Sequence, residues 1–337
     1  MDTGISKDKI FILVANGTHR PLRPEELKIM IDSCILELGI PIINHDCRDE
    51  ANLVYIGNTL RNTKILINRY YMEADIKIIT GLVESHFMAG VSGGRKSICP
   101  GLIGEESTFV FHSALFLASP KACDLNLAGN PCHEEALAIA EKAGVDYIVN
   151  VTLDSEFKLT GVFAGDLKKA HESAAEKVIK DTMIPIENEF DIVITHAGYV
   201  GINHYQAAKA AVGVIPALKT GGILIEVADN IDDDPVGSNK YRTLIHLLKL
   251  WGTEKFGQSI ASPNWIFIPE QWQVQMWGKV FAKIPPENFI YYSPQLLVKD
   301  YEILPGEDGN LFLAEEERYH GTIDTIPRVI ECALKKS

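Results

Sequence analysis

The stretch Thr80-Gly-Leu-Val-Glu-Ser-His-Phe-Met-Ala-Gly-Val-Ser-Gly-Gly-Arg-Lys-Ser-Ile-Cys-Pro-Gly101 decides how this chain is interpreted. A short apolar run at residues 76–80 leads into it and is typical of a buried strand. Gly93 and Gly94 allow backbone N–H groups to approach an anion closely, because no Cβ stands in the way. Residues 105–117 then have the pattern of a helix that carries His112. A strand, a glycine-rich basic loop and a helix together predict a phosphate-binding loop.

The loop departs from the nucleoside triphosphatase pattern G-x-x-x-x-G-K-[ST] at one position. Arg95 stands where that pattern requires the second glycine, directly before Lys96. We therefore do not predict a nucleoside triphosphatase. Arg95 and Lys96 would instead add positive charge beside the two glycines. The alternative is a surface turn with two solvated cations, and composition alone favours neither interpretation.

Composition and charge limit the class of protein. A chain of 337 residues is too long for one ordinary core, so about two domains are expected. The net charge of −13 argues against a nucleic-acid-binding protein, which would need a basic face. The sequence shows neither a long apolar run for a transmembrane helix nor the apolar core of a signal peptide in its first residues. Six cysteines without a C-x-x-C pair fit reduced thiols, so we expect a cytoplasmic protein without nucleic-acid or membrane partners.

Strands alternate with helices in both halves of the chain, which predicts an α/β fold. Residues 9–15 form a continuous apolar run that is typical of a central parallel strand. After an acidic, proline-containing stretch the pattern restarts, with strands predicted at residues 191–195, 221–227, 265–269 and 289–293. We expect two α/β domains, residues 1–181 for cofactor binding and catalysis and residues 191–337 on the substrate side, joined by a linker at 182–190. Mostly parallel sheets and an interdomain cleft holding the ligand site complete this prediction.

Three histidines and one lysine are the candidates for chemistry in the first half. His19, His86 and His112 follow or face predicted strand ends, and none has a zinc spacing such as H-x-x-x-H or H-E-x-x-H. Imidazoles that converge on one site suit acid and base catalysis near neutral pH. Lys96 could be a phosphate ligand or an amine nucleophile. Spacing alone does not decide between these roles or exclude structural ones.

Five ordered segments resemble the lactate racemase family, which uses a nickel-pincer nucleotide. They are Gly17-Thr-His-Arg-Pro21, His86-Phe-Met-Ala-Gly-Val-Ser-Gly-Gly-Arg-Lys96, Gly129-Asn-Pro131, Phe163-Ala-Gly-Asp166 and Tyr205-Gln-Ala-Ala-Lys209. The resemblance implies an isomerase that racemises or epimerises a lactate-like 2-hydroxy acid by hydride abstraction and return. It also implies the cofactor, Ni(II) pyridinium-3,5-bisthiocarboxylic acid mononucleotide, and partner enzymes that synthesise it.

The resemblance implies a role for each candidate in the first half. Lys96 would hold the pyridine ring covalently through a thioamide, and His112 would be the protein ligand of nickel. His19 and His86 would be paired acid and base groups, one for each enantiomer. The residues that would contact the cofactor phosphate are Ser92, Gly93, Gly94 and Arg95.

In the second half the resemblance implies a group of substrate-binding residues: Tyr205, Gln206, Lys209 and Trp272. Lys209 would counter the substrate carboxylate. The alternatives are an exposed first helical turn and, for Trp272, helix packing. The family's upstream Asp-x-x-Arg element, whose arginine binds the carboxylate, is apparently lacking from the sequence. An epimerase of a different hydroxy acid and a non-catalytic, cofactor-binding relative therefore stay open.

Overall fold

The computed structural model describes residues 4–336, and the chain divides into two compact units. The first contains the chain through His112 together with Ala118–Met183, and the second contains Ser113–Leu117 and the chain from Ile184 onward. The division after Met183 lies within the stretch that we interpreted as a linker. The short segment 113–117 was not expected to group with the second unit. The predicted α/β fold with mostly parallel sheets is confirmed.

The first unit is built from short strands and helices. Its strands are β1 (Ile12–Val14), β2 (Ile42–Asn44), β3 (Leu53–Asn58), β4 (Lys64–Asn68), β5 (Ile78–Leu82), β6 (Ser85–His86), β7 (Gly90–Val91), β8 (Tyr147–Leu153) and β9 (Leu159–Gly165). The helices in this part of the chain are α1 (Pro24–Met30), α2 (Ser33–Leu36), α3 (Arg69–Glu73), α4 (Glu105–Phe111), α5 (Ala114–Ala118), α6 (Pro131–Ala143) and α7 (Leu167–Thr182). Most of α5 belongs to the segment that groups with the second unit.

The sheets of the first unit mix parallel and antiparallel pairs. Strand β5 pairs in parallel with β8, and β8 pairs antiparallel with β9. The runs at residues 145–153 and 158–164, with a charged turn between them, predict this hairpin, and it is confirmed. The prediction of a central strand at residues 9–15 is wrong. Strand β1 has three half-buried residues and, within residues 4–336, is bonded to β2 alone. The apolar run is only partly covered, so its continuous hydrophobicity does not indicate a central position in a sheet.

A small core fixes the loop between β5 and α4. Val83 and Val91 pack against Ala174, Ala175 and Val178 of α7. The three α7 residues are spaced i, i+1 and i+4, so they lie on one face of the helix. Two of them are alanines, which allow the helix backbone to lie close to the loop. The glycine loop (residues 90–101) is therefore held between the end of β5 and helix α7.

The second unit is an all-parallel sheet with the order β10-β11-β12-β13. Its strands are β10 (Phe190–His196), β11 (Leu218–Val227), β12 (Phe289–Tyr292) and β13 (Glu307–Asp308). Its remaining helices are α8 (His204–Val214), α9 (Asn239–Ile260), α10 (Gln271–Lys283), α11 (Val298–Tyr301) and α12 (Ile326–Lys336). Within residues 4–336, no helix is long and apolar enough to span a membrane.

Three elements differ from the sequence prediction. Residues 265–269 are irregular instead of a strand, because Oε1 of Gln271 accepts hydrogen bonds from Nε1 of Trp265 at 2.9 Å and from the backbone N–H of Ile268 at 2.8 Å. The helix expected over residues 105–117 is broken at His112, which is the C-cap of α4. Pro24 and the acidic residues after it predict a single helix over residues 24–38. This helix is divided at Asp32, whose side chain caps α2 by accepting a hydrogen bond from a backbone N–H.

Candidate active site

The two glycines of the loop are required by packing within the protein. Gly93 and Gly94 have φ of +71° and +49°, which L residues rarely adopt. A Cβ on Gly93 would lie 2.6 Å from Cγ2 of Val83, and a Cβ on Gly94 would lie 2.5 Å from Cδ2 of His171. Both positions therefore demand glycine because neighbouring side chains fill the space. This explanation needs no ligand.

Arg95 is completely buried beneath the loop. Its Nη2 donates to the backbone carbonyls of Ala89 at 2.8 Å and Val91 at 2.9 Å, and its Nη1 lies 2.7 Å from Nε2 of His171. Burial lowers the pKa of Arg95 to about 9, so the guanidinium stays charged at neutral pH. The side chain is thus not a solvated cation, which corrects the surface-turn alternative for Arg95, while its contact with a phosphate stays a prediction. A charge with these partners holds the backbone of residues 89–91 in place.

His171 packs against Arg95 through one ring nitrogen. Nε2 of His171 lies 2.7 Å from Nη1 of Arg95 and 2.9 Å from the carbonyl oxygen of Ser92. A guanidinium only donates and a carbonyl only accepts, so these two contacts favour opposite tautomers of the ring. Burial first, and then the charge of Arg95, lowers the pKa of His171 to about 3. The ring stacks on His133, with centroids 6.4 Å apart. The buried imidazole of His171 therefore packs against the Arg95 guanidinium from α7.

Ser92 is also bonded within the protein. Its hydroxyl donates to the carbonyl of Leu82 at 3.0 Å and accepts from the backbone N–H of Glu84 at 2.9 Å. All four residues that were expected to contact a phosphate, at positions 92–95, thus have packing or hydrogen-bonding roles of their own. Their contact with a phosphate stays a prediction that depends on the family resemblance.

The backbone around Lys96 connects it to the segment that carries His19. Lys96 is half-buried in a 3-10 turn, and its carbonyl accepts from the N–H of Gly101 at 3.1 Å. The carbonyl of Gly101 in turn accepts from the N–H of Gly17 at 2.9 Å. His19 follows two residues later, exposed, and its N–H donates to the carbonyl of Asn16 at 3.0 Å. Two distant segments of the chain therefore share one set of backbone bonds.

His112 lies within electrostatic reach of both Lys96 and His19. Its ring nitrogen Nδ1 is enclosed, and its backbone N–H donates to the carbonyl of Thr108 at 3.0 Å. Burial first, and then the charges of Lys96 and His19, lower the pKa of His112 to about 3. The structure thus brings three of the predicted site residues together. A neutral imidazole of this kind keeps a lone pair that can coordinate a metal.

His86 is attached to the same loop from another side. Its Nδ1 accepts from the backbone N–H groups of Ala89 at 3.1 Å and Met88 at 3.3 Å. The proton of the neutral ring therefore lies on Nε2. The carbonyl of Ala89 is one of the acceptors of Arg95, so the buried cation and His86 are fixed by one peptide segment.

The candidates in the second unit lie at the start of α8 and α10. Trp272 is buried, and its Nε1 donates to the hydroxyl of Tyr205 at 2.9 Å. The backbone N–H of Gln206 donates to the side chain of Asn203, the N-cap of α8, at 2.9 Å. Lys209 is exposed and follows Gln206 by three residues, so the two share a face of α8. Trp272 and Tyr205 therefore join the first turns of the two helices.

Sequence reasoning missed His171 and a buried group around His204 and Glu226. His171 precedes the apolar α7 face of Ala174, Ala175 and Val178 by about one turn and lies on the same stripe. A polar residue on an apolar stripe is the signal that would have pointed to a buried partner. Glu226 had a weaker signal, an acidic residue within the apolar end of β11.

No protein-only metal centre is present within residues 4–336: no group of three or more His, Cys, Asp or Glu side chains could hold a metal ion there. A metal bound by His112 would therefore need most of its donors from a bound group. The neutral imidazole and the nearby lysine fit a group that carries its own donors and attaches to an amine.

The model of the lactate racemase N-terminal domain matches residues 1–124. Lactate racemase from Lactiplantibacillus plantarum is 34% identical over 293 residues, covering 87% of this chain and 67% of the relative. The chain belongs to the lactate racemase family. It is accordingly an isomerase of the racemase type.

Further relatives agree with the family assignment. Lactate racemase from Thermoanaerobacterium thermosaccharolyticum is 30% identical over 310 residues, covering 88% of this chain and 69% of that protein. The lactate racemase apoprotein structure from that organism matches with a TM-score of 0.80 and 29% identity, over 89% of this chain and 71% of that one. A Thermotoga maritima protein with a TM-score of 0.62 and 18% identity, covering 90% of this chain and 80% of its own, shares the fold alone.

Proposed function

We propose that this member of the lactate racemase family racemises or epimerises a lactate-like 2-hydroxy acid. The observation that carries the proposal is the grouping of Lys96, His112 and His19, seen in the lowered pKa of His112. The curated relatives, at 30% and 34% identity, are lactate racemases. A 2-hydroxy acid racemase needs a group that takes and returns hydride and side chains that handle the hydroxyl proton.

Lys96 and His112 are the residues that we propose hold the cofactor. The half-buried amine of Lys96 would form the covalent link, and the neutral imidazole of His112 would donate one nitrogen to nickel. Because His112 titrates well below neutral pH, its lone pair is available without competition from a proton. The chemistry that a bound nickel-pincer nucleotide supplies is acceptance and return of the substrate hydride.

His19 and His86 are proposed to handle the hydroxyl proton, one for each enantiomer. His19 lies exposed on a turn whose backbone is bonded to Gly101 through Gly17. For His86 the exchange would take place at Nε2, because backbone N–H groups already point at Nδ1. A base that removes the hydroxyl proton favours loss of hydride from the adjacent carbon, and its conjugate acid returns the proton afterwards.

In the second unit we propose that Gln206 and Lys209 contact the substrate and that Tyr205 and Trp272 shape their surroundings. Lys209 is exposed, and its ammonium would counter the carboxylate as a point charge. The hydrogen bond between Trp272 and Tyr205 would keep the first turn of α8 in a fixed orientation.

The test is co-expression of the full chain with the cofactor-synthesis enzymes, followed by nickel analysis and a chiral assay on a panel of 2-hydroxy acids. We expect about one nickel per chain and interconversion of the enantiomers of lactate. Turnover of another hydroxy acid alone would indicate an epimerase with a different substrate. Nickel loading without turnover of any acid would indicate a non-catalytic cofactor-binding relative and would overturn the proposal.

A further inference from the structure

A buried acid and a buried imidazole lie under the first turn of α8, outside the residues used so far. Glu226 in β11 and His204, the first residue of α8, are both fully buried. Within residues 4–336, neither carboxyl oxygen of Glu226 has a hydrogen-bond partner, and neither does Nε2 of His204. Buried polar atoms are nearly always hydrogen-bonded in proteins. These three atoms therefore require an explanation.

The two side chains share one neighbour on the same face of the sheet. Glu226 is directly opposite Tyr291 in the register of β11 and β12, so their side chains lie side by side. The ring of Tyr291 meets the ring of His204 edge to face, with centroids 4.9 Å apart. Trp277 stacks on the other side of His204 at 4.6 Å. The imidazole is thus enclosed by aromatic rings, and one of these rings, that of Tyr291, also lies beside Glu226.

Tyr241 bonds the Nδ1 side of the His204 ring. Nε1 of Trp277 donates to the hydroxyl oxygen of Tyr241 at 2.8 Å, and that oxygen lies 2.7 Å from Nδ1 of His204. The Tyr241 proton has two acceptors, Nδ1 and the His204 carbonyl at 3.5 Å, so these bonds fit either ring tautomer. In both tautomers Nε2 is a buried polar atom, a donor in one and an acceptor in the other.

Burial disfavours the charged form of both groups. It raises the pKa of Glu226 well above its usual value and lowers the pKa of His204 to about 3. The titratable groups that interact with Glu226 are Tyr241 from α9 and Tyr291 from β12, and His204 from α8 contacts both tyrosines. None of these three carries a positive charge that would stabilise an ionised carboxylate. Glu226 is therefore expected to keep its proton.

We propose that Glu226 is a neutral carboxylic acid joined to Nε2 of His204 through one buried water, and that this pair positions the first turn of α8. A buried water typically makes about three hydrogen bonds, which matches the three atoms that need partners. Gln206 lies in the first turn of α8 and Lys209 in the second, so the positioning role rests on the proposed function of those residues. Glu226 and His204 themselves would act through them as positioning residues.

The ionisation state is tested by substituting Glu226→Gln, with the exposed Glu187→Gln as the matched control. Glutamine has the shape of a protonated glutamic acid but does not ionise. A carboxyl group whose pKa is raised in the folded state stabilises the fold below its unfolded pKa and loses that contribution as pH rises. The quantity to compare is the ratio of the unfolding equilibrium constants, wild type divided by Glu226→Gln. This ratio should rise about tenfold per pH unit above pH ~5, until Glu226 ionises in the folded protein.

Denaturant unfolding of both variants and the wild type between pH 5 and 8 measures this difference. Equal stability of wild type and Glu226→Gln at pH 5, with Glu226→Gln more stable at pH 8, is the expected result. A parallel pH dependence of the two proteins, or loss of stability in Glu226→Gln at pH 5, would overturn the neutral acid. Glu187→Gln should follow the wild type throughout, because its side chain is solvated in both states.

The positioning role is tested with Glu226→Leu, which keeps the volume but removes the hydrogen-bonding group. Amide hydrogen exchange of residues 204–209 should become at least about tenfold faster in Glu226→Leu and stay as in the wild type in Glu226→Gln. In the loaded enzyme, kcat/KM should fall about tenfold, mainly through KM, and Glu226→Gln should rescue it. Unchanged exchange in Glu226→Leu would overturn the positioning role. Hydrogen exchange gives this answer even if the wild type racemises no hydroxy acid, so failure of the proposed function would be recognised separately.

Discussion

Nη1 of Arg95 lies 2.7 Å from Nε2 of His171, so a buried cation of the glycine loop packs against an imidazole of α7. The same guanidinium donates to the carbonyls of Ala89 and Val91. The charge of Arg95 is therefore bonded within the protein. The adjacent Lys96 is half-buried.

Lys96→Ala should abolish covalent attachment of the nickel-pincer nucleotide and leave the fold intact. The backbone bonds of Lys96 to Gly93 and Gly101 do not depend on its side chain, so the turn should persist. Intact-protein mass spectrometry after co-expression measures the adduct, with the exposed Lys180→Ala as the control that should keep it. An adduct of nucleotide size on the Lys96→Ala protein would refute the assignment.

His19→Ala and His86→Ala should each lower kcat by about 10²–10⁴-fold while nickel content stays close to that of the wild type. His112→Ala should lose nickel, because it removes the proposed protein ligand. Metal analysis and a chiral assay on the same preparations separate the two roles. Loss of nickel from His19→Ala, with normal turnover of the fraction still loaded, would contradict the proposed division of work.

Arg95→Met should lower the free energy of unfolding by about 2–4 kcal/mol, because it leaves buried carbonyls without donors. Arg95→Lys should be intermediate, since an ammonium has fewer donors and cannot reach all the acceptors at once. Denaturant unfolding measures both. The control Arg69→Met, at a half-exposed ion pair with Glu73, should cost less than about 1 kcal/mol. Equal losses at the two sites would argue against the buried network.

Gly94→Ala should be more destabilising than Gly39→Ala, and the difference isolates the contact with His171. Both glycines have positive φ, +49° and +66°, but a Cβ on Gly39 would meet nothing within 4 Å. Backbone strain should cost about 1–2 kcal/mol at each position. Overlap with the imidazole should add about 1–3 kcal/mol at Gly94. Thermal or denaturant unfolding of the two variants gives the comparison, and similar values would exclude the steric role.

Stability should fall as pH is lowered from about 6.5 to 4, and His171 should account for part of this. Its pKa is lowered to about 3 in the folded protein, so below pH 6.5 the unfolded chain binds a proton that the folded chain does not. The expected loss from this residue is about 1–3 kcal/mol by pH 4.5. His171→Gln keeps an acceptor for Arg95 and should reduce the acid sensitivity of unfolding, whereas exposed His320→Gln should not change it. An unchanged pH dependence in His171→Gln would show that His171 is not kept neutral by burial.

The sequence predicted most elements whose pattern is local. The antiparallel pair β8 and β9 and the amphipathic helix α6, which ends at Gly144, follow from alternation and capping signals that neighbouring residues supply. Residues 265–269 were predicted as a strand and are irregular, because the side chain of Gln271 bonds that segment and periodicity does not report such a contact. The apolar run at residues 9–15 also led to a wrong prediction of a central strand, because β1 is only half-buried.

For the site, the sequence identified the loop but not how its residues are used. Arg95 and Lys96 are adjacent cations in the sequence, but Arg95 is completely buried against His171, which is distant in sequence. The grouping of His19 with Lys96 likewise depends on long-range backbone bonds. Contacts between residues that are distant in sequence depend on tertiary structure. Local sequence patterns therefore did not predict these two contacts.

The backbone bonds from Gly17 to Gly101 and from Gly101 to Lys96 have a consequence for the maturation of the protein. The segment carrying His19 and the loop carrying Lys96 are far apart in the chain and meet only when the first unit has folded. If Lys96 is the attachment point, an enzyme that delivers the cofactor must work on a folded surface, because a nascent chain would offer the lysine without the imidazoles. The cofactor would then be attached after the first unit has folded. The folded protein without cofactor is the species that the delivering enzyme has to recognise.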